Sequence, residues 1–282
     1  MSYVFRSLKK RLGRFFGKVD RTDASEEYGS HLITDKSSMR VLEAYRMART
    51  NLFYSGSGEE KATVFGVTSS SPAEGKSITC ANLAISFAMS GKRVLIIDCD
   101  MRKPTQKKVF EVTAEQGLSE YLAGVSDEPQ IVETQYENLL LLSSGRCPPN
   151  PAELLYRSRF AEMMEKLRAA YDFIFVDLPP VGLISDATIV APHIGSYIFV
   201  VRMKRSDYRL VQSAADSIEK VGGKIAGIMI NDVEELNSAY YYHGKRYGRY
   251  GKYSRYYGRY YGKYYGKHNS FPEEASSQKD ED

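Results

Sequence analysis

An open, mostly parallel α/β sheet, doubly wound with helices on both faces, is the fold class that residues 62–231 predict. Three observations predict it. Short apolar, β-branched runs alternate with longer stretches of helical period. Gly91 and Gly222-Gly223 stand where two of those helices should end, and Pro148-Pro149-Asn150-Pro151 stiffens the entry to another. Finally, three of the runs end in residues suited to holding an anion and its counter-ion. Gly75-Lys76-Ser77 follow the first, Asp98 and Asp100 the second, and Asp177 a later one. In such sheets ligands bind beyond the carboxyl ends of the strands.

The chain opens with a basic arm. Val4, Phe5, Leu8, Leu12, Phe15 and Phe16 recur at helical spacing, and Arg6, Lys9, Lys10, Arg11, Arg14 and Lys18 fill the rest of the wheel. Residues 4–18 therefore suit a helix lying on an anionic membrane surface. An arm that docks on a protein, or orders only with a partner, fits as well. Residues 20–36 are a polar linker, so residues 1–36 are read as arm and linker. A helix is expected from Ser38, its N-cap, to Tyr54. Glu43, Arg46 and Arg49 then share one polar face, which by itself reads as a solvated face with an internal ion pair.

Strands are expected at 62–68, 93–98, 138–143, 172–177, 196–201 and 224–230. Helices are expected at 76–90, 151–170 and 207–221, with shorter ones near 117–123 and 185–191. The first strand runs into Thr68-Ser69-Ser70-Ser71-Pro72-Ala73-Glu74-Gly75-Lys76-Ser77, a strand–loop–helix phosphate loop. Its amides and the helix N-terminus face an anion, Lys76 can reach β/γ-phosphates, and Ser77 can ligate Mg²⁺. Ser70 stands where the first glycine of the strict pattern belongs. Phe173-Ile174-Phe175-Val176-Asp177 has the Walker B arrangement, an apolar strand ending in a carboxylate. Lys76, Ser77, Asp98, Asp100 and Asp177 would together build one Mg²⁺–nucleotide site.

The core, residues 37–236, gives way to a different composition in residues 237–282. Tyr240, Tyr241, Tyr242, Tyr247, Tyr250, Tyr253, Tyr256, Tyr257, Tyr260, Tyr261, Tyr264 and Tyr265 are twelve of the 22 tyrosines, interleaved with Gly, Lys and Arg. With no aliphatic residue between Ala239 and Phe271, a disordered tail is expected. Such a tail suits either phosphate acceptance or the stacking of single-stranded nucleic acid. Attached to a nucleotide site, it favours acceptance. The net charge of +4 is segregated: residues 1–21 carry +6, 237–271 carry +8 and the last eleven −4, leaving −6 for 22–236. Cys80, Cys99 and Cys147 lack metal-ligand spacing and read as buried residues of a reducing compartment. No run approaches the ~20 apolar residues that span a bilayer, and the first 20 residues lack a signal-peptide core. The expected location is cytoplasmic, peripheral at the inner face of the membrane.

With these motifs joined by Asp98-Cys99-Asp100-Met101-Arg102, Val176-Asp177-Leu178-Pro179-Pro180, Glu153-Leu154-Leu155 and Asp186-Ala187, the chain resembles the bacterial tyrosine kinases. These are P-loop kinases of capsule and exopolysaccharide systems, and the resemblance covers about Lys36 to Tyr265. Missing the first loop glycine is normal for that family. The resemblance implies a P-loop fold like that of partition ATPases, ATP and Mg²⁺ as cofactors, and autophosphorylation of the tyrosine cluster. It also implies a ring-like homo-oligomer held through Glu43, Arg46 and Arg49, in place of the solvated face. Further implied partners are a separate transmembrane activator and a cognate tyrosine phosphatase. On it, Ser71, Pro72, Ala73, Glu74, Gly75, Lys76, Ser77 and Ile78 cradle the nucleotide, with Asn231 near the adenine. Asp98 is the candidate base, Asp98, Asp100, Asp177 and Ser77 the metal-site residues, and Arg102 a phosphate-steadying cation. A partition-type ATPase and an ATP-dependent nucleic-acid binder are the competing readings. The first lacks a reason for the tail, and carries a signature lysine where this chain has Ser71.

Overall fold

Val94–Asp98 and Phe173–Asp177 are apolar on both sides, and each is buried at every position. That is the pattern of central parallel strands covered on both faces. They are β2 and β5 of a seven-stranded sheet whose other members are β1 (Thr63–Ser69), β3 (Ile131–Glu133), β4 (Leu139–Leu142), β6 (Ser196–Arg202) and β7 (Ile225–Asn231). The strand order is β3-β4-β2-β5-β1-β6-β7, parallel throughout except for the antiparallel edge pair β3–β4. The computed structural model describes residues 31–56 and 62–233. The basic arm, residues 4–18, and the tyrosine cluster, Tyr240 to Tyr265, lie outside the described residues.

Alternation along the strands divides the core into two layers. Leu95, Ile97, Ile174, Val176, Phe199 and Val201 face one way. They pack against helices α4 (Leu118–Ala123), α5 (Pro151–Leu155), α6 (Ser158–Ala170), α7 (Asp186–Ile189) and α8 (Tyr208–Lys220). Phe65, Val67, Ile96, Phe175, Ile198 and Val200 face the other way, beneath α1 (Met39–Gly56) and α2 (Lys76–Ala88). There Phe87 of α2 packs tilted against Phe173 and edge-on to Phe175, with ring centroids 4.5 and 5.3 Å apart, and Phe65 completes the cluster. A further single turn, α3 (Gln106–Val109), lies after β2.

Ser38 caps α1 as expected, its Oγ accepting from the Val41 N–H at 3.4 Å. Gly91 and Gly222 both take positive φ just beyond their helices, of 78° and 81°. The single helix expected over 151–170 is instead two. Arg157 is extended (φ −69°, ψ 149°) between them, and its guanidinium donates to the Leu122 carbonyl at 3.2 Å. The break lets Leu154 and Leu155 share one core layer with Phe160, Met163 and Leu167. Cys147 is exposed, unlike Cys80 and Cys99, because it sits on the surface connection between β4 and α5 beside Pro148.

A short strap, His31 to Ile33, closes the helical layer. Asn82 of α2 accepts from the Ile33 N–H at 2.8 Å and donates to the His31 carbonyl at 3.0 Å and to Tyr45 Oη at 3.3 Å. Tyr136 donates to the Ile33 carbonyl. Among the described residues no helix is long and apolar enough to cross a membrane.

The phenylalanine cluster yields a stability prediction. Phe87→Ala leaves a cavity against three rings and should lower the unfolding free energy by about 3–5 kcal/mol, measured by urea titration. A loss below ~1 kcal/mol would show that this face collapses freely onto the missing ring.

Candidate active site

Strand register assembles the site. β2 and β5 pair so that Asp98 lies directly beside Asp177, and β5 also pairs with β1, which runs into the phosphate loop. Both carboxylates are fully buried. Lys76, at the start of α2, reaches across to them. Its Nζ lies 2.9 Å from Asp100 Oδ2, 3.4 Å from Asp177 Oδ1 and 3.2 Å from Ser77 Oγ. Burial opposes the charge on Lys76, but the Asp177 and Asp100 carboxylates overcome it and hold its pKa above the ordinary lysine value.

Asp98 organises the loop that follows it. Oδ1 accepts from the Asp100 N–H at 3.2 Å, and Oδ2 accepts from the Thr105 and Gln106 N–H groups, both at 3.0 Å. Burial, and then the Asp177 charge, push its pKa up to about 7, against the pull of the Gln106 amide, Lys76 and the Thr105 amide. Gln106, a residue that periodicity does not single out, is wholly buried. Its Nε2 donates to Asp177 Oδ2 at 2.8 Å and to the Ser77 carbonyl at 3.0 Å, while its Oε1 has no partner.

The phosphate loop is braced from behind by Glu74. Its carboxylate accepts from Ser70 Oγ at 3.1 Å and from the Ser71 N–H at 2.9 Å. Ser206 Oγ, itself the acceptor for the Arg202 N–H, also donates to Glu74. The serine that replaces the first glycine therefore clips the loop, through its hydroxyl, to a buried carboxylate. Arg202 donates to the Ala73 carbonyl at 3.2 Å and pairs with Asp232 at 2.8 Å. Gly75 has φ +90°, and a Cβ there would stand 1.9 Å from Asn231 Nδ2. Asn231 thus rests on the loop, where its amide donates to the Glu74 carbonyl at 3.2 Å.

The residues fit a magnesium nucleotide. The N–H groups of Gly75, Lys76 and Ser77 bond no protein acceptor among the described residues and face outward from the start of α2. Among the described residues no group of three or more His, Cys, Asp or Glu forms a metal cage. Mg²⁺ does not need one, because it binds through one or two carboxylates together with substrate phosphates and water. Ser77, Asp100 and Asp177 would hold the ion, and the loop amides the phosphates.

A family model described as an AAA domain matches residues 72–221, from the phosphate loop to the end of α8. Tyrosine-protein kinase CpsD of Streptococcus agalactiae is 35% identical over 222 residues, which cover 78% of this chain and 94% of that protein. The chain belongs to the bacterial tyrosine kinase family. The kinase domain of the Escherichia coli tyrosine kinase ETK has the same fold, with a TM-score of 0.68 and 30% identity, covering 88% of this chain and 92% of that one. The septum site-determining protein MinD of Pyrococcus horikoshii, complexed with Mg-ADP, shares the fold at a TM-score of 0.51 and 24% identity. That match covers 60% of this chain and 70% of MinD. The enzyme is a protein-tyrosine kinase.

In the kinase, Lys76, Ser77, Asp98, Asp100 and Asp177 come together, and Asn231 joins them through the loop. Arg102 stands at the margin, its Nε 3.5 Å from Oδ2 of the buried Asp186. Glu43, Arg46 and Arg49 lie elsewhere, on α1. Glu43 and Arg46 pair at 3.2 Å and are exposed, whereas Arg49 donates to the Ser86 carbonyl on α2.

The raised pKa of Asp98 has a definite sign. The folded kinase holds that proton more tightly than the unfolded chain, so Asp98 contributes stability below its ordinary value of 3.8 that is lost as pH rises towards about 7. Measured by denaturant unfolding without nucleotide, the stability of Asp98→Asn relative to wild type should therefore improve as pH rises from about 4 to about 7. A pH-independent difference would show that Asp98 titrates normally.

Proposed function

We propose that this kinase transfers the γ-phosphate of ATP to its own tyrosine cluster, Tyr240 to Tyr265, in trans within a ring-like homo-oligomer. Its setting would be the regulation of capsular or exopolysaccharide synthesis and export. The observation that carries the reading is the gathering of Lys76, Asp98, Asp100 and Asp177 behind a loop with outward-facing amides. Phosphoryl transfer needs positioning and charge neutralisation more than covalent chemistry, and this site is built for both. ATP and Mg²⁺ supply the phosphoryl group and the neutralising charge. With nucleotide bound, Lys76 would neutralise charge on the β/γ-phosphates, and Ser77, Asp100 and Asp177 would hold the metal ion. Asp98, with a pKa near neutrality, is suited to accept the phenol proton. Asn231, which donates to the Glu74 carbonyl, would contact the adenine, and Arg102 would steady the phosphates.

The tail's chemistry supports the same reading. Residues 237–271 carry +8, so the unmodified tail is drawn to an acidic core and to ATP. Each phosphate adds about −1.5 to −2, so roughly five modifications reverse the tail's sign and make release self-limiting. A separate transmembrane activator, a cognate phosphatase and contact of residues 4–18 with the inner membrane face complete the proposed partners.

Mass spectrometry of the purified chain with and without ATP tests the activity directly. Phosphate should appear on tyrosines 240–265, and Lys76→Met should reduce it by at least ~100-fold, since a buried cation on the transferring group is lost. Phosphate confined to residues outside the cluster would refute the tail assignment.

The oligomer is tested on its exposed pair. Arg49 also secures α1 to α2, so it is left intact. Glu43→Ala with Arg46→Ala should lower the mass seen by light scattering at concentrations where wild type associates. Equal masses would return these residues to the role of a solvated helix face.

A further inference from the structure

Asp186 is a carboxylate near the site that the proposed chemistry does not use. It opens α7 at the carboxyl end of the sheet and is completely buried. Neither of its oxygens receives a hydrogen bond. Its neighbour is Arg102, whose Nε stands 3.5 Å from Oδ2 and whose side chain remains 41% exposed. A buried carboxylate without hydrogen bonds is costly, and it is retained only where a cation compensates it.

Both partners are held in place by their neighbours. Arg102 follows Asp100 on the loop that Asp98 fastens through the Asp100, Thr105 and Gln106 amides. On the other side, the fully buried Tyr197 donates its hydroxyl to the Ala187 carbonyl at 2.6 Å, which fixes the turn carrying Asp186. A guanidinium presents five N–H donors in a planar fork. Nε is turned to Asp186, and Arg102 stands two residues along the chain from the carboxylate that pairs with Lys76.

We propose that Asp186 is the positioning residue for Arg102, the buried counter-charge that aims its guanidinium at the phosphate site. The inference deepens the kinase reading and rests on it for its rate measurement alone. Arg102 acts on the transferring group, and Asp186 acts through Arg102.

The test compares Asp186→Asn, Arg102→Gln, Arg102→Lys and the Asp186→Asn/Arg102→Gln double variant with wild type. Asp186→Asn should keep or raise Tm, because it removes a buried charge, and should leave affinity for a fluorescent ATP analogue within ~3-fold. Its rate of phosphotyrosine formation at saturating ATP should fall by at least ~10-fold. Arg102→Gln should lower the rate equally and lower Tm by roughly 2–4 °C. The double variant should regain Tm without regaining rate, and its loss should not exceed that of either single change. Arg102→Lys should keep Tm but not restore the rate, since it keeps the charge and loses the fork. The Arg102 Nε–H resonance should shift in Asp186→Asn, because the charge 3.5 Å from that nitrogen is removed.

Multiplying rate losses in the double variant, full rate in Asp186→Asn or Arg102→Lys, or an unchanged Arg102 resonance would each overturn the assignment. A wild type that forms no phosphotyrosine would refute the proposed autophosphorylation instead. The Tm pattern and the resonance would still decide the pair.

Discussion

Three carboxylates and one ammonium group share the interior above β2 and β5, and much of the molecule serves to keep that balance. Asp98 and Asp177 are in register on adjacent strands, with side chains wholly buried, and Asp100 stands just beyond the end of β2. Lys76 is the cation that makes this tolerable. Without it the like charges would oppose one another in surroundings of low dielectric. The sheet order places β5 between β1 and β2, which brings the lysine's loop within reach of both acidic strands. Strand order and charge balance are thus one constraint.

Around that centre the loops are shaped by side-chain hydrogen bonds. Glu74 draws Ser70, Ser71 and Ser206 together behind the phosphate loop, and Asp98 fastens three amides of the next loop. Each carboxylate satisfies groups that the sheet cannot reach. The loop amides that would meet a nucleotide are accordingly the ones left without protein partners among the described residues. Rigidity behind and open donors in front is the arrangement that electrostatic preorganisation requires.

Much of this was legible in the residues. Every expected strand exists, because short apolar runs bounded by polar and turn residues leave few alternatives. Gly75-Lys76-Ser77, Asp98, Asp100 and Asp177 could be placed because each sits at the end of such a run. The misses have physical causes. β3 and α3 are too short for a period to show. The break at Arg157 depends on a carbonyl 35 residues away. Gln106, Ser206 and Arg202 are polar residues whose partners are distant in the chain, Ser77, Asp177, Glu74 and Ala73. Pattern reading sees the run and its end, not the cross-links between ends. Cys147 shows the converse, a small residue that looks internal by type yet lies on a surface connection.

The strap at His31–Ile33 carries a mechanical implication. The linker from the basic arm joins the folded core through two hydrogen bonds to Asn82. Asn82 lies on the same helix as Lys76 and six residues from it, about 9 Å at 1.5 Å per residue. A tension applied to the chain before residue 31 is therefore borne first by the phosphate-loop helix. Tethering the front of the chain and orienting the nucleotide lysine are, in this fold, two ends of the same short lever.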